Sequence, residues 1–119
     1  MSLDRKEFIV DNTLQRSERV VLVGLASSRA ALPRLKEYLE ELHFLSTTAN
    51  VEPVATFHQI LDKPDTRTYV GSGKLLEIKE YCDAKDIDAV IFDDEISPSQ
   101  QNNIEKELKR KVLDRSMLI

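Results

Sequence analysis

The chain is poor in the residues that build several kinds of protein. It has one cysteine, Cys82, so no disulfide framework and no cysteine metal site can form. Tryptophan is absent, and glycine is limited to 3 of 119 residues. No apolar run approaches the roughly 20 residues of a membrane-spanning helix, and no signal-peptide pattern opens the chain. Basic runs are missing as well. The formal net charge is −4, which argues against tight autonomous binding to nucleic acid, because neutralising phosphates supplies most of that affinity. Any RNA contact is expected to be local to one loop. A cytoplasmic, single-domain protein is the expectation that remains.

What is present is alternation of strand and helix patterns. Val20 to Leu25 is a continuous apolar run, typical of a strand buried on both faces. Ser27 and Ser28 follow as an expected helix cap, without a dinucleotide fingerprint. Leu32, Leu35, Leu39 and Leu42 recur at helical spacing, with Pro33 suited to the first turn. His43, near the end of that helix, reads as a surface group. Val51 to Leu61 alternates as an edge strand containing Pro53, with Val54, Thr56, His58 and Ile60 expected on one side. Leu75, Ile78 and Cys82 mark a second helix, and Asp88 to Phe92 a third strand. Ser97, Pro98 and Gln100 form a capping-box pattern opening a third helix that ends near Arg110, and Val112-Leu113 is a short last strand. The pattern β-α-β-α-β-α-β predicts an α/β fold: a four-stranded, mainly parallel sheet in Rossmann-like order 2-1-3-4, helices on both faces. Residues 1–18 read as a polar arm that packs Phe8 and Ile9 on the domain, 19–115 as the α/β domain, and 116–119 as the start of a truncated helical region.

Two stretches carry candidate chemistry. The first, Asp62 to Lys74, lies between a strand and a helix. Lys63, Arg67 and Lys74 supply positive charge, and Tyr69 a stacking surface. Gly71, Ser72 and Gly73 lead into a helix whose free N–H groups favour an anion. Gly71 and Gly73 are expected to take backbone angles closed to other residues. The phosphate-loop pattern is not met: it needs Gly at 68 and Ser or Thr at 75, where Thr68 and Leu75 stand. The second stretch, Asp93-Asp94-Glu95, ends a parallel strand, where ligands of open α/β sheets bind. Asp93 and Asp94 are the only candidates for a metal, and acids that serve the following helix start are the simpler reading. No catalytic set is visible.

Taken together, Thr68 to Lys74, Val90 to Asn102 and Val112 to Arg115 closely resemble the N-terminal domain of the HflX family of GTPases. That resemblance covers about residues 19 to 119. It implies a cytoplasmic parent protein that binds the large ribosomal subunit, with its ribosomal RNA, and takes part in splitting or rescuing stalled ribosomes. It also implies a helical hairpin and a G domain after this domain, with GTP and Mg²⁺ in the G domain. The chain has no GTPase motif, so no cofactor and no catalytic residue are expected within it; the apolar ending reads as a cut through a longer protein. An adenine-nucleotide-binding or hydrolysing domain using the Gly71–Lys74 helix entry is the alternative.

Overall fold

The computed structural model describes residues 17–118. The expected packing of Phe8 and Ile9, and most of the 1–18 arm, lie outside the described residues. Four strands form one sheet in the order β2-β1-β3-β4: β1 Glu18–Ala26, β2 Val51–Ile60, β3 Ala89–Phe92 and β4 Lys111–Asp114. All three pairings are parallel. Three helices connect them: α1 Leu32–Thr48, α2 Ser72–Lys85 and α3 Pro98–Leu108. The 2-1-3-4 order expected from the sequence is the order found.

Each face of the sheet owns one half of the core. Val20, Leu22, Ala89 and Ile91 pack with Leu35, Leu39 and Leu42 of α1. Val21, Val23, Val90, Phe92 and Val112 pack with Leu75, Ile78, Cys82, Ile104 and Leu108 of α2 and α3. This is why β1 and β3 read as unbroken apolar runs: successive side chains enter opposite layers, and both layers are dry. Every such buried Val, Leu or Ile is worth about 1.5–3 kcal/mol relative to exposure. Gly24 belongs to the same packing, since a Cβ there would meet Leu35 Cδ1 at 2.7 Å.

Three local expectations are corrected. Ser28 makes no side-chain cap; its carbonyl instead accepts from Ala31 N–H at 3.1 Å, closing a 3-10 turn over Arg29–Ala31 from which α1 continues. In β2 the register skips Val54, because Val20 aligns with Pro53 and Val21 with Ala55. That bulge turns Val54 toward the α2–α3 layer with Ala55 and Phe57, away from Thr56 and His58. Finally, no glycine has a positive φ; among the described residues the left-handed positions are Asn50, Tyr69, Asp86 and Lys109. Asp86 and Lys109 end α2 and α3, places where glycine is the usual choice. The capping box at α3 forms as expected, with Ser97 and Gln100 bonded reciprocally.

Candidate functional site

The loop between β2 and α2 is folded by one carboxylate. Asp65 Oδ1 accepts from the N–H groups of Arg67 at 2.8 Å and Thr68 at 3.0 Å. The Thr68 and Arg67 N–H groups also hold the Asp65 pKa below its ordinary value. Asp65 and Tyr69 exchange backbone hydrogen bonds of 2.9 Å in both directions. Val70 N–H then donates to the Thr68 carbonyl at 2.6 Å, a γ-turn with Tyr69 at its centre and φ of 67°. Such a turn is strained for a bulky residue, so the surroundings must hold it.

They do so through the second motif. Tyr69 is only 3% exposed; its ring meets Phe92 edge-to-face at 5.4 Å, and its hydroxyl donates to Asp94 Oδ2 at 2.5 Å. Burial first, then the Asp94 bond, pushes the phenol pKa far above its usual value. From α3, Gln100 Nε2 donates to the Asp65 carbonyl at 2.9 Å and Asn103 Nδ2 to the Arg67 carbonyl at 3.1 Å. The loop is therefore a fixed lip, tied to α3 at two points and, through Tyr69, to Asp94 at a third.

Tyr69 is thus corrected as a stacking surface: its ring is in the core, because the γ-turn points it inward. Gly71 is corrected as a source of unusual backbone angles, with φ −67° and ψ 160° as N-cap of α2. Its N–H is taken by Gln59 Oε1 at 2.9 Å, so it is not an open anion donor. Ser72 and Gly73 occupy the first turn, where α2 has no side-chain cap. Lys74 reaches Glu77 at 3.0 Å, an exposed-type pair worth little. Lys63 and Arg67 are exposed on the lip. A small hollow of about 150 Å³ beside Arg67 is lined by Arg67, Thr68, Ser72, Leu75, Leu76, Lys79 and Glu107.

Of the acids at the end of β3, Asp93 and Asp94 are engaged by the protein itself. Asp93, 7% exposed, accepts from Arg115 Nη2 at 2.6 Å and Nε at 3.0 Å. Arg115 also donates to Glu41 at 2.8 Å and to the Tyr38 carbonyl at 2.8 Å, linking the sheet end to α1. Burial raises the Asp93 pKa, and Arg115 offsets part of that rise. Asp114 accepts from Ile96 N–H at 3.2 Å and from the Ser116 hydroxyl at 2.6 Å. Sequence reasoning missed Gln59 and Asn103; it read Gln100 only as a capping-box residue and Arg115 only as part of a motif, and missed their bonds to the Asp65 carbonyl and to Asp93. These partners stand 12 to 36 residues apart, so no local pattern marks the contacts.

Fold and site together define a doubly wound α/β domain whose β2–α2 lip is locked onto its β3–α3 acidic turn. Residues 36–119 match the family model described as GTP-binding GTPase N-terminal. The chain is 43% identical over 102 residues to a GTPase HflX of Flavobacterium psychrophilum, covering 86% of this chain and 25% of that protein. It is 35% identical over 83 residues to the GTPase HflX of Escherichia coli K12, covering 70% and 20%. A crystal structure of SsGBP with GDP superposes with a TM-score of 0.65 at 25% identity, over 85% of this chain and 27% of that one. The chain belongs to the GTP-binding GTPase N-terminal family and corresponds to the N-terminal domain of HflX proteins. It spans about a quarter of the length of the first of these curated relatives. Among the described residues no helix is long and apolar enough to cross a membrane.

Proposed function

We propose that this domain is the accessory N-terminal part of an HflX-like GTP-binding protein of the cytoplasm, and that it helps the protein engage ribosomal RNA of the large subunit during splitting or rescue. One observation carries the reading: the exposed cations Lys63 and Arg67 sit on a lip immobilised by Asp65, Gln100 and Asn103. A rigid lip loses little entropy on docking, so its charges act on phosphate at low cost. The uncapped first turn of α2, with Ser72, Gly73 and Lys74, extends the same positive region. GTP and Mg²⁺ are assigned to the remainder of the parent protein, because no phosphate loop or base-specificity motif stands in this sequence. The adenine-nucleotide alternative loses support, since Gly71 N–H is occupied by Gln59 and Asp93 by Arg115.

The test uses a full-length HflX-type protein carrying this domain. Lys63→Glu and Arg67→Glu should weaken co-sedimentation with the large subunit, most at low salt. Each lost phosphate contact should flatten the log–log salt dependence by roughly one unit. Lys74→Glu should do less, because Glu77 already pairs with it. Curves for the Lys63 and Arg67 variants that overlay the parent would refute the proposal.

A further inference from the structure

Among the described residues, the outer edge of β2 carries a row of main-chain groups that no strand covers. β2 is hydrogen-bonded on one side only, to β1. Leu61 N–H donates to the Ala26 carbonyl at 3.0 Å, and Ala26 aligns with Ile60. Main-chain groups alternate sides along a strand, so Phe57 and Gln59 face β1 while Thr56, His58 and Ile60 present N–H and C=O outward. All three residues are exposed, and Ile60 leaves a large apolar side chain in water. Pro53 and the Val54 bulge blunt only the upstream part of the edge.

The open row is symmetric about its own centre. Thr56 and Ile60 lie two residues to either side of His58, and β2 ends at Ile60. A second strand of the same sequence, laid antiparallel with His58 opposite His58, sets Thr56 against Ile60 at both ends and satisfies every outward group. In that register the residue opposite Val54 is Asp62, beyond the end of β2, so neither bulge interrupts the ladder. The neighbouring helix has the same property. Lys36 and Glu40 are exposed and one turn apart on α1, and both line a groove of about 420 Å³ that runs along Thr56 and His58. A rim with one cation and one anion favours a ligand of neither sign, but a two-fold axis makes it its own complement.

We propose that two copies of this domain associate edge to edge through β2, joining their sheets about a two-fold axis at His58. Residues directly opposite in an antiparallel pair point to the same face, so both copies of α1 lie on one side of the joined sheet and run antiparallel. Lys36 of each copy faces Glu40 of the other across the axis, and Ile60 of each is covered by Thr56 of the other. Neither Lys63 nor Arg67 takes part, so the association stands independently of the RNA assignment.

Sedimentation velocity and amide hydrogen exchange on the full chain, over a concentration series, test this. The mass should rise from one chain toward two. The amides of Thr56, His58 and Ile60 should slow with it, while those of Phe57 and Gln59 stay slow throughout. Lys36→Glu and Glu40→Lys should each raise the dissociation constant about tenfold, because the axis sets two like-charged pairs in place of two opposite ones. Mixing these two variants should restore association, since each then meets its opposite. His58→Pro should abolish association and leave the monomer folded, because that N–H serves no bond within the sheet. If this variant unfolds, the charge reversals at two exposed positions carry the comparison. A mass that stays that of one chain at every concentration overturns the proposal. So do dimers whose Thr56, His58 and Ile60 amides exchange as in the monomer, which puts the contact elsewhere, and charge reversals that mixing does not rescue.

Discussion

Removing one oxygen, Tyr69→Phe, isolates the contact that joins the two motifs. The ring, its edge contact with Phe92 and the γ-turn are kept; the bond to Asp94 is lost. A hydrogen bond to a charged group contributes about 1.5–3 kcal/mol. Asp94 is exposed, so water takes over part of its solvation and the loss should fall near 1–1.5 kcal/mol. For a domain of this size that lowers Tm by about 4–6 °C. The linkage sign follows from the pKa. The folded-state phenol is raised, so its contribution is complete below the unfolded tyrosine value near 10 and is lost as pH climbs beyond it toward the folded value. Urea unfolding of parent and Tyr69→Phe from pH 7 to 11 should therefore show a gap that narrows above about pH 10. A double-mutant cycle with Asp94→Asn should return a coupling of about 1 kcal/mol. Identical midpoints across the series, or a gap that widens at high pH, would refute the view that this bond locks the lip.

Other perturbations probe the remaining supports. Arg115→Ala leaves the buried Asp93 carboxylate unpaired and should cost about 2–4 kcal/mol in urea unfolding at pH 7. Because the Asp93 pKa is already raised by burial, the deficit should shrink as pH falls and Asp93 takes up its proton. Gln100→Ala with Asn103→Ala should speed amide exchange in residues 65–69 while the β1 and β3 amides stay slow, a difference read directly by exchange mapping. Lys109→Gly relieves a left-handed backbone at the end of α3 and should stabilise the domain by about 0.5–1 kcal/mol in thermal unfolding.

Much of this architecture is written locally. Dry strands declare themselves in Val20 to Leu25 and in Ala89 to Phe92, because a strand covered on both faces has no position for a polar residue. The leucine stripe of α1 and the Ser97–Gln100 box are likewise legible, since helix period and capping are contacts within one or two turns. From these, short connections and the handedness of crossovers leave few topologies besides 2-1-3-4. The motif stretches could be recognised from the sequence, yet their physical purpose could not. Tyr69 looked like an exposed ring in a polar loop; its burial depends on a γ-turn held by Asp65 and on Asp94, 25 residues away. Gly71 looked like a source of unusual backbone angles and is an ordinary N-cap whose N–H is held by Gln59. His43 and His58 share no sequence spacing, and only the packing of α1 beside β2 brings them to one groove. Local pattern determined the elements and their order, because propensity, period and capping act over a few residues. Which polar groups meet was decided by tertiary structure, because those bonds exist only after the sheet has brought distant segments to one end.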